Sequence, residues 1–423
     1  MDTGDKLRFK VHNILYEINK YGLNFDKVFS KFSNDLTTSR DKGFIQNVCL
    51  NTMRYSIHSK KILLNYVKKK PKINEEILLT SAITQIVFLN FKEYAVINSS
   101  VEIAKKLNLF HGFINACLRK IAKNKKNLEE IKIHYKDLPV WFRQKTKNLS
   151  KLQIRLFLEN FKNEPDLHLV FKDKKCLSNF QGKLSQTSET SGFLITKQRI
   201  EEIPAYGDGN WWIQDFSSSF PLNNIEEEII DKFSFDMCAA PGGKSFQILS
   251  KKKNIDLNDK SKKRTEILKM NLHRLNFNPL ITNIDFVNLE KKPTYDFIVL
   301  DAPCSAIGTI RKHPEIFYRK KNPNFTQLTN IQQKMLDTAS KLLKNNGVIL
   351  YMVCSFIEDE TTNQINYFLN KNKNFYLKDF SLKDKMSKYS FLIENKKMLV
   401  LPSKINQYNV DGYFAAYLKK ENK

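Results

Sequence analysis

The chain has 423 residues, and its 70 Lys and Arg outnumber its 44 Asp and Glu, which gives a formal net charge of +26 at pH 7. A hydrophobic content of 41% with only 13 Gly and 12 Pro is typical of folded domains and excludes collagen-like and low-complexity chains. No segment reaches the roughly 18 consecutive apolar residues of a membrane-spanning helix, and the length exceeds one typical domain. We therefore expect two or three domains and no membrane partner.

The basic excess indicates a polyanionic partner. Lysines cluster at residues 68–72, 123–126, 251–253 and 260–264, in separate segments instead of one amphipathic helix, which favours nucleic acid over a membrane surface. An AT-rich genome would also favour lysine over arginine, but it does not explain the shortage of acids. The charged first six residues lack the apolar segment of a secretion signal, so we expect a cytoplasmic protein.

The first third of the chain, residues 1–135, is predicted to be an all-helical domain. From residue 6 its apolar residues recur at helical spacing, and no strand-like alternation competes with that pattern. The first helical stripe contains Val11, Ile14, Leu15 and Ile18. Ser99 followed by Glu102 predicts a capping box that opens a helix over residues 101–107.

Residues 136–225 are predicted to be a connecting segment of mixed α/β character. Four prolines interrupt it, at positions 139, 165, 204 and 221. Trp211 and Trp212 are adjacent, so on an extended segment they face opposite ways and at most one could stack on a base. We predict that both pack in the core.

Residues 226–423 alternate short apolar strands with helices. The predicted strands cover residues 233–238, 254–258, 280–284, 297–301 and 348–353. A helix after the second strand carries Leu268, Leu272 and Leu275 on one stripe. This alternation predicts an α/β domain with a parallel sheet covered on both faces.

A turn rich in small residues follows the first of these strands. Residues 236–245 read Asp-Met-Cys-Ala-Ala-Pro-Gly-Gly-Lys-Ser and precede a helix, the position where open α/β sheets bind nucleotides. The final Gly-Lys-Ser does not make a P-loop, because Cys238 stands where that motif needs its first glycine. The dinucleotide motif Gly-x-Gly-x-x-Gly is also absent. An adenosyl ligand without a pyrophosphate fits better, and S-adenosylmethionine is the cofactor we expect.

Acidic residues end the next two predicted strands. Asp259 stands where an acid would accept hydrogen bonds from ribose hydroxyls, with Asp256 as a rival three residues earlier. Either acid could instead be an ordinary helix N-cap. Asp285 has a similar position for the adenine or its neighbours.

Two cysteines follow neighbouring strands, Cys304 after Asp301-Ala302-Pro303 and Cys354 after Tyr351-Met352-Val353. The six cysteines have neither framework nor zinc-ligand spacing, so we expect reduced thiols and no metal. Methylation of cytosine at C5 needs a prior attack on C6, for which a thiolate is well suited. Asp301 could bind the N3 and amino edge of the base. These residues alone do not show which thiol attacks.

Together these motifs resemble the bacterial RNA (cytosine-5)-methyltransferases of the Sun or Fmu type. The resemblance covers residues 236–245, 271–275, 301–314, 351–360 and 411–414. Residues 101–104 and 114–119 also resemble the NusB-like helical domain of this subfamily.

The resemblance implies a NusB-like RNA-binding domain followed by a class I, Rossmann-like methyltransferase domain with a seven-stranded sheet. Cys354 would be the nucleophile and Cys304 the cysteine that aids product release, with Asp301 and Lys244 also catalytic. The spacing to Asn271 selects Asp259 over Asp256. The implied cofactor-binding residues are Cys238, Ala239, Ala240, Pro241, Gly242, Gly243, Lys244, Asp259, Asp285 and Asp301. The RNA cytosine would be flipped or single-stranded.

Some positions depart from the family pattern. Val353 stands where the family has Thr before the nucleophile, and Ile284 replaces the Gly before Asp285. Arg311 and His313, after Cys304, are expected to contact RNA phosphate or close the pocket. The leading hypothesis is a monomeric enzyme that makes 5-methylcytosine in small-subunit ribosomal RNA. The alternatives are the same chemistry on transfer RNA and a non-catalytic NusB-like assembly factor.

Overall fold

A computed structural model describes residues 3–285 and 292–422 and divides into two compact units. The first contains Met1–Lys162 and Ile310–Pro323, and the second contains Asn163–Thr309 and Asn324–Lys423. The three predicted segments, divided at residues 135 and 225, do not coincide with these units, and their bounds remain a prediction. Within the described residues, no helix is both long and apolar enough to cross a bilayer.

The first unit is helical, as predicted, and contains the first ten α-helices of the chain and the sixteenth. In chain order the described α-helices are α1 Thr3–Tyr21, α2 Phe25–Ser33, α3 Ser39–Arg54, α4 Ser56–Leu64, α5 Ile73–Ile83, α6 Glu93–Lys106, α7 His111–Lys123, α8 Lys125–Leu128, α9 Val140–Lys145, α10 Lys151–Asn160, α11 Lys174–Ser178, α12 Phe216–Asn223, α13 Glu227–Ile230, α14 Gly243–Leu249, α15 Lys262–Arg274, α16 Glu315–Tyr318, α17 Phe325–Leu342 and α18 Thr362–Lys371. A π-helical turn, Thr84–Phe88, continues α5. Turns of 3-10 helix cover Tyr135–Asp137, Ile200–Glu202, Ile307–Thr309, Glu358–Glu360 and Asp384–Leu392.

The predicted capping box at Ser99 is wrong. Ser99 lies inside α6, where it is buried and its hydroxyl donates to the Asp5 carboxylate. The helix starts earlier because Val96 and Ile97 are already buried on its inner face, and tertiary packing of an apolar face stabilises a helix more than one local cap does. The predicted apolar stripe of α1 is buried, as its pattern indicated.

The segment Ile310–Pro323 packs within the first unit, although in sequence it interrupts the second. The Phe317 ring lies 5.9, 5.1 and 6.0 Å, between centroids, from the rings of Trp141, Phe142 and Phe161. These three aromatic residues come from α9 and the end of α10. The aromatic cluster explains why the first unit extends beyond residue 135.

Arg311, in the same segment, is fully buried, and its guanidinium donates to the Asn160 carbonyl over 3.0 Å. The expectation that Arg311 contacts RNA phosphate is therefore wrong, because its charge is used inside the helical unit. His313 has a half-exposed side chain, with its Nδ1 3.5 Å from the Glu315 carboxylate. A phosphate contact by His313 remains a prediction.

Two histidines of the first unit, His12 and His58, are almost fully buried. Burial lowers the pKa of His12 to about 4 and that of His58 to about 3. Both pKa values are below the pKa of about 6.5 that a histidine has in an unfolded chain. The folded state therefore binds fewer protons at these rings than the unfolded state, and it loses stability as the pH falls below about 6.5. Between pH 7 and 5 we expect the free energy of unfolding to fall by about 2 kcal/mol for each ring.

Urea unfolding at pH 7 and pH 5 measures this effect. His58→Leu should remove the His58 share of the pH dependence, whereas His111→Gln, at an exposed position of α7, should keep the dependence of the parent. An equally steep loss of stability in His58→Leu would show that the buried ring is not its source.

The second unit contains the described strands of the chain. They are β1 His168–Phe171, β2 Leu184–Ser188, β3 Ser191–Leu194, β4 Trp211–Ile213, β5 Ser234–Asp236, β6 Ile255–Asn258, β7 Ile281–Thr282, β8 Tyr295–Asp301, β9 Leu343–Val353, β10 Phe375–Lys378, β11 Ile393–Glu394, β12 Lys397–Val400, β13 Ser403–Ile405, β14 Tyr408–Val410 and β15 Tyr413–Lys420. All five predicted strands are present with shifted ends, and the third is reduced to β7.

The main sheet has the order β7-β6-β5-β8-β9-β15-β12-β11. The first five strands of this order pair in parallel, as predicted, and β15 pairs antiparallel with β9. In the described ranges the sheet has nine strands instead of the seven expected. The difference arises because β10 and β12 pair with different halves of the same β15 edge and β11 adds to β12.

Both faces of the main sheet are covered, as the apolar strands indicated. On β8, Phe297 and Val299 belong to one buried cluster, whereas Ile298 and Leu300 belong to another. Because side chains alternate along a strand, these two clusters lie on opposite faces. The carboxyl ends of β5, β6, β8 and β9 therefore meet at one edge of a rigid layer.

The predicted mixed segment contributes a second, antiparallel sheet of order β2-β3-β1-β4. Trp211 and Trp212 lie on β4, and both are buried. Their indole N–H groups donate to the Pro204 carbonyl and the Gln214 side chain, each over 2.8 Å. The prediction that both pack in the core is confirmed.

Candidate active site

The turn after β5 is held by one buried carboxylate. Asp236 accepts hydrogen bonds from the Ser245 hydroxyl over 2.6 Å and from the Cys238 backbone N–H over 3.2 Å. Burial raises the pKa of Asp236 to about 6. Gly242 has a φ of 121°, and a Cβ at this position would overlap the Phe246 ring, so the turn requires glycine.

A cavity of about 220 Å³ opens beside this turn. Among the predicted site residues, its lining contains Cys238, Asp259, Asp285, Asp301, Cys304 and Cys354. Ile284, Ile331 and Met335 supply apolar lining. The other predicted cofactor residues, Ala239 to Lys244, form the adjoining turn and do not line the cavity.

Asp259 directly follows β6 and lines the cavity with an almost fully buried side chain. Its Oδ1 accepts the Ser261 backbone N–H over 2.9 Å, whereas its buried Oδ2 accepts no hydrogen bond from the described residues. The Arg264 guanidinium lies 3.2 Å from that oxygen as an ion pair. Ser261 is the N-cap of α15, so the alternative that Asp259 caps this helix is wrong.

Asp256 is engaged elsewhere. Its carboxylate accepts the Tyr295 hydroxyl over 3.0 Å, and it does not line the cavity. The geometry therefore favours Asp259 over Asp256 as the ligand-facing acid, because of the two only Asp259 lines the cavity. Asp285 lines the cavity from an exposed position after β7.

The Asp301 carboxylate joins two predicted motifs at the end of β8. Its Oδ2 lies 2.8 Å from the Lys244 ammonium, and its Oδ1 accepts the Tyr413 hydroxyl over 2.8 Å. Burial alone would lower the pKa of Lys244, but Asp301 and the more distant Asp236 outweigh it and raise that pKa. Lys244 is therefore a positively charged neighbour of the site.

The two cysteine sulfurs, of Cys304 and Cys354, lie 3.4 Å apart at the ends of β8 and β9. A hydrogen bond with Cys354 and burial raise the pKa of Cys304 well above its ordinary value, so Cys304 is held as the protonated thiol. Both cysteines line the same cavity. The assignment of Cys354 as the nucleophile remains a prediction.

Close backbone contacts bring three of the predicted motifs together. The Gly308 N–H donates to the Cys354 carbonyl over 3.0 Å, and the Gly412 N–H donates to the Gly308 carbonyl over 2.8 Å. A Cβ at Gly308 would overlap the Gly412 carbonyl. The C-terminal motif at 411–414 thus supports the cysteine loops and carries Tyr413 to Asp301.

Sequence reasoning missed several contributors to the site. Tyr413 was part of a recognised motif, but nothing in the pattern indicated its bond to Asp301. Arg264, which also donates to the Ala240 carbonyl, lies in a run of basic residues that looks like ordinary surface. Met335 comes from α17, for which nothing was predicted from the sequence. In the described ranges, no group of three or more His, Cys, Asp or Glu side chains could hold a metal.

Comparison with known proteins finds matching families for two regions of the chain. Residues 222–419 match the family described as 16S rRNA methyltransferase RsmB/F, and residues 6–123 match the NusB family. Residues 222–419 are thus similar to the RsmB/F methyltransferases, and residues 6–123 are similar to NusB. The chain is an RNA methyltransferase that uses S-adenosylmethionine.

Two relatives match this chain over nearly its whole length. Ribosomal RNA small subunit methyltransferase B of Shewanella oneidensis is 25% identical, with 98% of this chain and 99% of the relative covered. The protein of the same name from Proteus mirabilis is 26% identical, with both chains covered completely. The identity is low but extends over whole chains.

Solved structures share the fold. The crystal structure of PH0851 has a TM-score of 0.71 at 19% identity and covers 99% of each chain. NSun6 from Pyrococcus horikoshii, solved with SFG, has a TM-score of 0.56 at 18% identity and covers 67% of this chain and 99% of its own. The prediction of a Rossmann-like methyltransferase domain is thereby confirmed.

The residues of the cavity suit S-adenosylmethionine. The Asp259 carboxylate lines the cavity and can accept a ribose hydroxyl beside its ion pair with Arg264. Ile284 and Met335 provide apolar contact for a base. Which of the predicted residues touch the cofactor remains a prediction.

Proposed function

We propose that this RNA methyltransferase acts on cytosine C5 in small-subunit 16S ribosomal RNA through a covalent cysteine adduct. The observation that carries the proposal is the pair of cysteine sulfurs 3.4 Å apart, lining the same cavity as Asp259. A methyltransferase acting on a base nitrogen or an oxygen needs no thiol. Carbon C5 of cytosine does, because it becomes nucleophilic only after addition at C6.

The proposed reaction uses two thiols of this chain together with a methyl donor and a general base. The Cys354 thiolate forms a bond to C6, and the electrons of the C5–C6 double bond then make C5 nucleophilic. S-adenosylmethionine, when bound, supplies the methyl group from its sulfonium. A base removes the C5 proton, its electron pair restores the double bond, and the C6–sulfur bond breaks. Cys304, as the protonated thiol beside Cys354, donates a hydrogen bond to the departing thiolate.

Asp301 and Lys244 have supporting roles in this proposal. Asp301 stands beside the cysteines in the lining of the cavity, where it can bind the amino edge of the cytosine. Lys244 and Tyr413 fix its two oxygens, so the carboxylate is oriented before substrate arrives.

The proposal of an RNA substrate is supported by the charge of the chain and by its helical unit. The lysines at 68–70 are exposed, and the net charge of +26 favours a polyanion. The relatives named above are ribosomal RNA small subunit methyltransferases, which favours that RNA over transfer RNA. A ribosomal substrate would place the enzyme in the cytoplasm, and we propose that it acts there as a monomer.

The proposal is tested by incubating the full chain with S-adenosylmethionine and unmodified small-subunit ribosomal RNA. Digestion and mass spectrometry of the nucleosides should show 5-methylcytidine. Transfer RNA run in parallel tests the alternative substrate. If the protein binds S-adenosylmethionine but neither RNA gains 5-methylcytidine, the proposed reaction is wrong.

Cofactor affinity should depend on Asp259. Asp259→Asn keeps the oxygen that accepts the Ser261 N–H but replaces the charged acceptor of a ribose hydroxyl. A hydrogen bond to a charged group contributes about 1.5–3 kcal/mol, so the dissociation constant of S-adenosylmethionine should rise by about 10- to 100-fold. Isothermal titration calorimetry measures it.

Asp256→Asn is the matched control, since Asp256 lies three residues earlier and outside the cavity. It should bind the cofactor with the affinity of the parent. Equal loss of affinity in both variants would mean that the effect is structural and not a contact with the ligand.

A further inference from the structure

A buried carboxylate lies directly behind the two cysteine loops. Glu360, in the 3-10 turn Glu358–Glu360, is fully buried. Its Oε1 accepts the Ser305 backbone N–H over 2.7 Å, and its Oε2 accepts the hydroxyls of Ser305 and Ser355, each over 2.6 Å. The Gln332 amide adds a fourth hydrogen bond over 3.3 Å.

These bonds connect two loops that are distant in sequence. Ser305 directly follows Cys304, and Ser355 directly follows Cys354. Pairing of β8 with β9 aligns the strands as far as Asp301 and Met352, but both cysteines lie beyond this pairing. Glu360 binds the residue that follows each cysteine in sequence. Each cysteine is therefore held by its strand on one side along the chain and by a serine bound to Glu360 on the other.

The Glu360 carboxylate is fully buried behind the cysteine loops. A buried carboxylate is costly unless donors satisfy it, and an apolar side chain would pack without that cost. Glu360 has four donors, and two of them come from one cysteine loop and one from the other. The arrangement is therefore suited to joining the two loops.

We propose that Glu360 is a positioning residue that holds Cys304 and Cys354 at the separation required for a two-cysteine reaction. This inference rests on the proposed function, in which one thiol attacks and the other assists its departure. Glu360 does not line the cavity and acts only through Ser305 and Ser355. A displacement of about 1 Å at reacting groups can reduce a rate by about 10²-fold.

Phenylarsine oxide reports the thiol spacing without any RNA or cofactor. Its trivalent arsenic forms two As–S bonds with neighbouring thiols and releases its oxygen as water with the two thiol protons. We expect the full chain to bind one equivalent, reversibly with dithiol. Glu360→Ala should weaken this binding and kcat by at least about tenfold, with S-adenosylmethionine affinity within twofold of the parent.

Two variants separate positioning from a general effect. Glu360→Gln keeps an acceptor oxygen for the Ser305 N–H and can donate its amide to the two serine hydroxyls, so it should restore arsenical binding and most of kcat. Glu358→Gln changes an exposed glutamate of the same turn and should match the parent in all three measurements. Parental arsenical binding and kcat in a folded Glu360→Ala would overturn the proposal.

If Glu360→Ala does not fold, Ser355→Ala decides the question. It removes one of the four bonds and should reduce arsenical affinity and kcat together by a smaller factor, about threefold, with thermal unfolding close to the parent. Parental values for both would contradict the proposal. Glu360-dependent arsenical binding in a protein that methylates no RNA would support the positioning role and reject only the proposed function.

Discussion

Replacing Cys354 by alanine should abolish 5-methylcytidine formation and the covalent protein–RNA complex together, with a loss of activity on the order of 10³-fold or more. Replacing Cys304 by alanine should instead let the covalent complex accumulate, because the departing thiolate loses its hydrogen-bond donor 3.4 Å away. Incubation with RNA and S-adenosylmethionine, followed by denaturing electrophoresis, measures the complex.

Cys176→Ala is the control for this pair of variants. Cys176 is a free, half-buried thiol on α11 that does not line the cavity, so neither the complex nor the product should change. A covalent complex that persists in Cys354→Ala and disappears in Cys304→Ala would reverse the two roles. The distance between the two sulfurs would be unaffected, but the assignment of Cys354 as the nucleophile would be wrong.

Gly242→Ala should disrupt the cofactor turn. An L-residue in a left-handed conformation costs roughly 1–2 kcal/mol, and at Gly242 the added Cβ also overlaps the Phe246 ring. We expect a stability loss of at least about 2 kcal/mol for the second unit and at least a tenfold weaker affinity for S-adenosylmethionine. Thermal unfolding and calorimetry measure the two effects.

Gly207→Ala provides the comparison. A Cβ at Gly207 meets nothing within 4 Å, so this variant should unfold and bind the cofactor like the parent. If Gly242→Ala behaves in the same way, the turn tolerates a side chain and its glycine is not required for the cofactor.

The five parallel strands of the second unit, β5 to β9, could be predicted because each contains a short apolar run. Most of their side chains are buried, although β7 is only partly buried. The edge strands β10 to β12 were not found. They are short and partly exposed, and their pairing depends on the distant strand β15.

The main groups of the site were predictable for a related reason. Cys304 and Cys354 directly follow buried strands, so sequence position alone placed them at one edge of a sheet. Glu360, Tyr413 and Arg264 were not predictable, because their roles depend on side-chain partners that only the folded chain brings together. The aromatic cluster around Phe317 was missed for the same reason.

Because residues 310–323 belong to the helical unit, the two units cannot be separated by cutting the chain once. A fragment of residues 1–162 lacks Phe317 and would expose the rings of Trp141 and Phe142 to water. A fragment of residues 163–423 would contain the segment 310–323 without the helices that bury Arg311. No single cut in the chain releases both units intact, so the helical unit is interlaced with the catalytic sequence and cannot be exchanged like a terminal tag.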